Sequence, residues 1–281
     1  MILFYSDGRL GNQIFQLAFI REIVKPGEKV VTFNLGNVLN VFDVDLKVRN
    51  TEIKNKLWKF ISRKMFIYIL EILSALKLSS IIYEDRKAVV YKKQIGLFPS
   101  VTYIRTGFFQ SEKFFNRESF LQNVKLKKVF LERAYSFLKV LPNNSTKVFI
   151  HVRRGDYLTE IYEGVRGINL PMDYYVKAIN IVKNKINNPY FVIMSDDYNF
   201  VSEAFKDLEN KVISKENYAV DLAVMASCDG GIISNSSYSW WGAFLLHNKN
   251  MVIMPKYWYG WKNKKQSHQG IELSFADVLE F

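Results

Sequence analysis

The sequence predicts an α/β fold in which parallel β-sheets are covered by helices on both faces. Two observations support this fold class. In the second half of the chain, short runs of Val, Ile, Phe and Met alternate with segments whose apolar residues recur at helical spacing. These runs are apolar along their whole length, which is typical of parallel strands buried on both faces. The start of the chain shows the same order of strand, helix and strand.

The first half of the chain is regular at its start and less regular afterwards. A strand at 1–6, a helix at 11–24, a strand at 29–34, a strand at 102–110 and a single capped helix at 111–121 are predicted. A basic and apolar stretch occupies 47–98. Its most apolar part, 65–76, is too short to span a bilayer, which takes about 20 apolar residues. We interpret 65–76 as a buried or interfacial helix.

The second half of the chain predicts four strands with helices between them. The strands are expected at 147–152, 190–195, 230–234 and 250–255, and the helices at 171–186, 197–205, 217–228 and 237–247. Turn-forming residues over 141–146 favour a domain boundary there. The predicted domains are therefore 1–143 and 144–281.

Composition excludes several classes of protein. The chain has 281 residues, of which 49% are hydrophobic and 15% aromatic, so it can fill a core and disorder is excluded. A single cysteine, Cys228, excludes an internal disulfide and favours a reducing compartment. The N-terminus has no basic, then apolar, signal-peptide pattern, so we expect a cytoplasmic protein.

The net charge of +12 is concentrated in the first half of the chain. Residues 1–145 hold 24 Lys and Arg against 12 Asp and Glu, whereas residues 146–281 hold 15 of each. Such asymmetry is typical of a basic face that meets a membrane surface, a lipid phosphate or a nucleic acid, although it can also serve solubility alone. Nucleic-acid binding is disfavoured, because no pattern of an RRM or OB domain is present.

Three of the predicted strands end in polar loops. The loops contain His151, Arg153, Arg154 and Asp156; then Asp196 and Asp197; then Asn235, Ser236 and Ser237. Because open parallel sheets bind ligands at the carboxyl ends of their strands, we expect these loops to converge. Arginine binds phosphate through paired hydrogen bonds, and a helix start offers free N–H groups to an anion. An acidic side chain can accept hydrogen bonds from a guanine edge, so the set predicts a nucleotide-diphosphate site.

Structural interpretations of the same residues compete with this one. Asp196 and Asp197 are equally typical of a cap on the following helix, and Ser236 or Ser237 could cap the next one. The tandem Trp240-Trp241 favours core packing. Asp43-Val44-Asp45 has the form of a metal clamp but lies in the other half of the chain, so we predict no metal site.

Several separate stretches resemble, in order, the motifs of glycosyltransferase family 11, which comprises mainly bacterial and animal α-1,2-fucosyltransferases. The stretches are GRLGNQIFQLAF (8–19), GFFQSEKFF (107–115), HVRRGDYL (151–158), LPMDYYVKAI (170–179), SDD (195–197), DLAVMASCDGGIISNSSYSWWGAFL (221–245) and MPKYW (254–258). The resemblance implies a GT-B type architecture, with two Rossmann-like domains and an active site in the cleft between them. Residues 40–100 match no motif, and Arg9 stands where the family pattern has glycine.

The resemblance also implies roles for individual residues. Arg153 would bind the β-phosphate of GDP-β-L-fucose, and His151 with Asp197, the second aspartate of the Asp196-Asp197 pair, would contact the nucleoside. The phosphates would be lined by Asn235, Ser236 and Ser237, and the cleft would be faced from the N-terminal domain by Gly11, Asn12 and Gln13. Arg154 and Asp156 complete the expected catalytic set. A general base for the acceptor could be Asp156, Glu160, Glu163 or Asp7. Asp156 could instead hold Arg153 or Arg154 in place, and this role is favoured.

The predicted function is inverting transfer of L-fucose to the 2-hydroxyl of a terminal galactoside, in the synthesis of bacterial surface polysaccharide. The acceptor would be a galactose-terminated oligosaccharide or a lipid-linked glycan. An arginine can take the place of a metal at the leaving diphosphate, so no metal and no cofactor is expected. The alternatives are an α-1,3 linkage within the same family and, from another class, nucleic-acid binding. The basic half is compatible with peripheral attachment to the inner face of the plasma membrane.

Overall fold

The computed structural model describes residues 1–249, 251–266 and 268–281, which form two compact α/β units. The first unit is Met1–Lys125 and the second is Leu126–Phe281. The boundary predicted after residue 143 lies further along the chain. The segment between the two positions contains one helix, Lys128–Lys139, which is grouped with the second unit.

The first unit contains a six-stranded sheet with helices around it. Its elements are β1 (Ile2–Tyr5), α1 (Leu10–Ile23), β2 (Val30–Phe33), α2 (Gly36–Val41), β3 (Phe42–Val44), β4 (Val48–Thr51), α3 (Lys56–Ala75), β5 (Ser79–Asp85), β6 (Val90–Gln94), β7 (Phe98–Ile104), α4 (Arg117–Asn123) and β8 (Val124–Leu126). The strand order is β4-β2-β1-β7-β5-β6, and every pair is parallel except β5 with β6. The antiparallel edge strand β6 lies in the stretch that the sequence left unassigned.

The helix predicted over 111–121 begins with the expected cap at Ser111 but is interrupted. A short 3₁₀ turn covers Glu112–Phe114, and α4 then begins separately at Arg117. Phe115 between them is extended, with φ −157° and ψ 155°. The Asn116 side chain accepts a hydrogen bond from the Ser119 amide at 2.8 Å, so it caps a new helix instead of continuing the old one.

The second unit contains a six-stranded, entirely parallel sheet. Its elements are α5 (Lys128–Lys139), β9 (Thr146–Val152), β10 (Ile161–Tyr162), β11 (Val165–Arg166), α6 (Met172–Lys185), β12 (Pro189–Ser195), α7 (Tyr198–Ala204), β13 (Lys211–Ile213), α8 (Tyr218–Ala226), β14 (Gly230–Ile232), α9 (Ser237–Phe244), β15 (Met251–Pro255) and β16 (Asp277–Leu279). The strand order is β13-β12-β9-β14-β15-β16. The predicted parallel sheet is confirmed, and the short edge strands β13 and β16 are additions to it. The residue at 250, predicted to open the last strand, lies outside the described residues.

The centre of this sheet is close-packed around β9. Val148, Ile150 and Val152 are buried on one face of that strand, with helices α6 and α7 contributing to the same core. Residue 231 on β14 lies beside the ring of Phe149, and a Cβ atom added there would stand 2.2 Å from the ring carbon Cε1. Gly231 is therefore required by the ring of its neighbour on β9.

We expect Gly231→Ala to lower the free energy of unfolding by about 1–3 kcal/mol, because overpacking forces buried neighbours to shift. The measurement is the midpoint of thermal or denaturant unfolding, compared between the variant and the parent. An unchanged midpoint would mean that the Phe149 ring moves aside at no cost.

A half-buried carboxyl couples the stability of the second unit to pH. Asp221 on α8 accepts a hydrogen bond from the Ser214 hydroxyl at 2.5 Å. Burial, with a further contribution from Glu216, raises the pKa of Asp221 to about 7. The folded state therefore binds more protons than the unfolded state between the ordinary carboxyl pKa and about 7, so stability declines as pH rises through that window.

We expect Asp221→Asn to remove this decline, because the amide stays neutral and can still accept the Ser214 hydroxyl. Relative to the parent, the free energy of unfolding of the variant should therefore be higher at pH 8 than at pH 4. The difference should be on the order of 1 kcal/mol for each unit by which the pKa of Asp221 is raised in the parent. Unfolding free energies of both proteins across pH 4–8 would check it. Parallel curves for variant and parent would contradict it.

Candidate active site at the carboxyl edge of the second sheet

The three polar loops predicted to converge do lie side by side. Strand β9 is flanked by β12 on one side and β14 on the other, and all three strands run parallel. Their carboxyl ends therefore open onto the same edge. Side-chain contacts join the loops directly, with Arg153 reaching Asp196 and His151 reaching Ser234.

Arg153 is held by carboxylates from two loops. Its Nη1 atom lies 2.8 Å from Asp196 Oδ2, and its Nη2 atom donates to Asp156 Oδ1. The guanidinium carbon lies 5.3 Å from the ring centre of Tyr157, and the side chain is 14% exposed. A guanidinium fixed by two ion pairs loses little further freedom when it binds an anion. The contact expected between Asp156 and Arg153 is present.

Asp196 organises the first loop. Its second oxygen, Oδ1, accepts a hydrogen bond from the Arg154 amide at 2.8 Å. A Cβ atom at residue 155 would stand 2.5 Å from Asp196 Oδ2, so only glycine allows the carboxylate to come this close. The Arg-Gly-Asp sequence at 154–156 is thus explained by local geometry: Gly155 makes room for Asp196, and Asp156 binds Arg153.

Arg154 and Asp197 form a second pair beside the first. Arg154 Nε lies 3.0 Å from Asp197 Oδ2, and the guanidinium stacks on the Phe200 ring with its carbon 3.5 Å from the ring centre. Asp197 Oδ1 accepts the Phe200 amide at 3.1 Å and so caps α7. These two contacts, the amide first, lower the pKa of Asp197. The capping interpretation of Asp197 is confirmed, and a nucleoside would have to share oxygens that already have partners.

His151 links the first loop to the third. Its Nδ1 atom lies 2.8 Å from Ser234 Oγ, and its ring lies 5.3 Å from that of Tyr238. Burial, with a smaller effect of Arg153, lowers the pKa of His151 to about 3. The imidazole is therefore neutral near pH 7, and it acts as a hydrogen-bonding group and not as a cation.

The third loop is held by hydrogen bonds of a buried side chain, and it leads directly into helix α9. Asn235 is fully buried, and its Nδ2 atom donates to the Ile168 carbonyl at 2.6 Å. The Ser236 hydroxyl accepts the Tyr238 amide at 3.3 Å and caps α9, as one of the two interpretations anticipated. Ser237 is the first residue of that helix. The N-terminal turn of α9 thus lies at the same sheet edge as Arg153, where its amides favour an anion.

Two tyrosines of this edge were missed by the sequence analysis. The Tyr157 hydroxyl donates to the Asn235 carbonyl at 3.3 Å and lies 3.2 Å from the Tyr259 hydroxyl. Burial raises the pKa of both phenols, which therefore stay protonated. Tyr157 is the last residue of the HVRRGDY stretch, so its place in that motif could have identified it as a site residue. Tyr259 lies far along the chain, and nothing in its surroundings marked it.

The three candidates from the other half of the chain belong to the first unit. Gln13 is buried in α1, where its Nε2 atom donates to the Asn34 carbonyl at 3.0 Å and its Oε1 atom accepts the Val38 amide at 3.2 Å. Asn12 accepts a hydrogen bond from Gln110 at 2.8 Å, and Gly11 lies in the first turn of α1. The Gln13 amide serves the structure of its own unit. A contact of Gly11 or Asn12 with a ligand remains a prediction.

Solved structures with this fold include several glycosyltransferases. A glycosyl transferase of family 9 from Veillonella parvula DSM 2008 superposes with a TM-score of 0.56 at 12% identity, covering 100% of this chain and 85% of that one. The α-1,6-fucosyltransferase NodZ, co-crystallised with GDP, superposes with a TM-score of 0.55 at 11% identity, covering 87% and 92%. These likenesses confirm the predicted GT-B type fold class.

Curated relatives include bacterial and animal glycosyltransferases. An α-1,2-colitosyltransferase of Escherichia coli is 28% identical over 275 residues, which cover 90% of each chain. The O-antigen biosynthesis glycosyltransferase WbnK of Escherichia coli is 33% identical over 135 residues, which cover 46% of this chain and 45% of that protein, so this match spans less than half its length. Galactoside α-(1,2)-fucosyltransferase 2 of Rattus norvegicus is 28% identical over 268 residues, covering 90% and 69%.

The profile described as Glycosyl transferase family 11 matches residues 3–273, which include all three loops at the carboxyl edge of the second sheet. The resemblance carried by the HVRRGDYL and NSSYSWWGA stretches is therefore confirmed over almost the whole chain. This protein belongs to glycosyltransferase family 11.

Proposed function

We propose that this protein transfers L-fucose from GDP-β-L-fucose to the 2-hydroxyl of a terminal galactoside, with inversion at the sugar carbon. The observation that carries the proposal is the Arg153 guanidinium, fixed between Asp156 and Asp196 at the sheet edge where open α/β sheets bind nucleotides. Family membership and the galactoside α-(1,2)-fucosyltransferase relatives support the reaction class.

The reaction requires stabilisation of a departing diphosphate. The bond between the fucose C1 atom and the β-phosphate oxygen breaks, and its electron pair passes to GDP. The acceptor oxygen attacks C1 from the opposite face, and its hydroxyl proton passes to solvent water. Negative charge therefore grows on the β-phosphate, where Arg153 and the amides at the start of α9 would meet it. A preorganised donor of this kind contributes about 10²–10³ in rate.

The surrounding side chains would keep Arg153 ready for that charge. Asp156 and Asp196 orient the guanidinium and leave its remaining N–H groups for the phosphate oxygens. The neutral His151 ties the Ser234 loop to β9 and adds no charge of its own. Because a fixed guanidinium supplies the positive charge, we propose that transfer needs no metal ion. We assign donor binding to the second unit and acceptor binding to the first.

A second candidate concerns the donor sugar. The α-1,2-colitosyltransferase of Escherichia coli matches 90% of this chain, which is a longer match than that of WbnK. Colitose differs from fucose only by the absence of the hydroxyl at C3, so the same phosphate site would serve either donor. A site built to hydrogen-bond the C3 hydroxyl would discriminate strongly against the sugar that lacks it.

We expect the protein to convert GDP-fucose and lactose to free GDP and a trisaccharide in the presence of a chelator. Linkage analysis of the product should give fucose on the 2-hydroxyl of galactose. Reactions without lactose, and with GDP-mannose as donor, serve as controls. Transfer from a colitosyl donor alone would replace the first candidate by the second, and no transfer to any galactoside would contradict both.

We expect Arg153→Ala to lower kcat about 10²–10³-fold, because it removes the charge aimed at the leaving phosphate. Arg153→Lys should recover only part of this, since an ammonium cannot satisfy two carboxylates and a phosphate in one plane. The matched control is Arg133→Ala, which removes a different arginine–carboxylate pair of the second unit, with Glu216, where the arginine is 59% exposed.

The measurement is steady-state kinetics together with the thermal unfolding midpoint of each variant. The assigned role requires that Arg133→Ala keep the parent rate and that Arg153→Ala remain folded. Near-normal turnover by folded Arg153→Ala would refute it.

A further inference from the structure

Helix α3 presents a large apolar surface to solvent. Its outward side chains recur at helical spacing and are 41–68% exposed: Leu57, Trp58, Ile61, Met65, Tyr68, Ile69 and Ile72, continued by Leu76 just after the helix. Single exposed apolar residues are ordinary, but a continuous stripe of this length marks an interaction surface. We call these residues the outer stripe of α3.

The opposite face of α3 packs against the sheet of the first unit. Leu70 is buried against Ile81 and Tyr103 of the sheet, and Phe66 and Leu73 pack on the same cluster. Core packing therefore explains the inner side chains and not the outer stripe. The interpretation of 65–76 as a buried helix holds for the inner face, and for the exposed outer face the interfacial interpretation stays a prediction.

The apolar surface continues beyond the end of the helix. The Leu97 amide donates to the Lys77 carbonyl at 2.6 Å, and the Phe98 amide donates to the Leu78 carbonyl at 3.0 Å. These bonds place the start of β7 beside the C-terminal end of α3. Leu97 is 72% exposed and Phe98 is 58% exposed, so they extend the outer stripe.

The polar groups around the stripe are almost all cationic. Residues 54–77 contain five lysines and one arginine against a single acidic residue, Glu71. That carboxylate is paired with Arg105, and Arg63 is paired with Asp7, so the positive excess at this helix comes from the lysines. The Lys64 ammonium lies 4.3 Å from the ring centre of Phe60, which is the geometry of a long side chain that covers apolar surface and keeps its charge at the edge.

An apolar stripe with a cationic border matches the surface of an anionic phospholipid bilayer. The apolar side chains can enter the boundary between headgroups and acyl chains, while the lysines meet the lipid phosphates. Within the described ranges 1–249, 251–266 and 268–281, no helix is long and apolar enough to cross a membrane. Because the inner face of α3 is packed on its sheet, the helix can only lie along the membrane, over a length of roughly 30 Å.

A second copy of the chain fits this surface less well. A two-fold dimer through α3 would bring the same patch against itself, and would therefore place the lysine clusters of the two copies near each other. Anionic lipid has the opposite charge along the whole border. We propose that the outer stripe of α3, with Leu97 and Phe98, docks this protein in the plane of an anionic phospholipid surface.

The proposal stands independently of the transfer reaction, and its test involves no sugar donor. The full chain is mixed with vesicles of phosphatidylcholine alone, or of an equimolar mixture of phosphatidylcholine and phosphatidylglycerol, and bound protein is separated by flotation. We expect binding to the mixed vesicles, weakened by salt, and at least about tenfold weaker binding to phosphatidylcholine alone.

Two variants separate the apolar and the electrostatic contributions. Leu57→Ser/Trp58→Ser/Met65→Ser should reduce binding at least about tenfold, since it removes three exposed apolar side chains from the stripe. Lys54→Gln/Lys56→Gln/Lys64→Gln should reduce binding to the mixed vesicles roughly a hundredfold and weaken the salt effect, because three of the six cations in 54–77 are removed.

The matched control is Val129→Ser/Tyr135→Ser/Val140→Ser, which removes three similarly exposed apolar residues around α5 of the second unit. It should bind as the parent does. All variants change exposed positions, so their unfolding midpoints should equal that of the parent.

Equal binding by the parent and both α3 variants would overturn the proposal, as would equal losses in the α5 control. A dimer in sedimentation velocity that dissociates when Leu57, Trp58 and Met65 are replaced would identify a second copy as the occupant instead, and would equally overturn it.

Discussion

The loops at the carboxyl edge of the second sheet depend on one cation that is held by carboxylates from neighbouring strand ends. Arg153 is bound by Asp156 of its own loop and by Asp196 of the next, so the two loops cannot move apart without leaving charges unpaired. Removing a partner from a partly buried pair costs more than the pair itself contributes. The same restraint keeps the guanidinium pointing to the sheet edge. Stability of the loops and readiness for an anion are thus consequences of one set of contacts.

The parallel sheet is what makes these contacts possible. Strand β9 lies between β12 and β14, so the loops that follow them are neighbours in space although they are about 40 residues apart in sequence. His151 fastens the third loop by its bond to Ser234, and burial keeps the imidazole neutral. The cationic groups at this edge are Arg153 and Arg154, each paired with carboxylates, and together with the amides of α9 they are the groups that would meet a diphosphate.

Helix α3 of the first unit carries apolar side chains on two faces with different surroundings. The side chains of α3 that face the sheet are buried with Ile81 and Tyr103, whereas those that face solvent are equally apolar and bordered by lysines. The solvent-facing apolar side chains contribute nothing to the core of a monomer, and a continuous exposed apolar patch of this kind is typical of an interaction surface. Part of the excess of positive charge in the first half of the chain lies at this helix, where lysines border its apolar surface.

The sequence by itself determined the fold class, the parallel second sheet with its central strands and helices, and the family, because apolar periodicity and contiguous motifs are local properties. It also singled out Arg153 and His151 from a single stretch. Only the tertiary structure decided which partner each polar group takes: Asp197 caps α7 and binds Arg154, and Tyr259 joins Tyr157 across 102 residues. Local patterns cannot specify such pairings, since a capping aspartate and a ligand-binding aspartate look alike until distant segments are brought together.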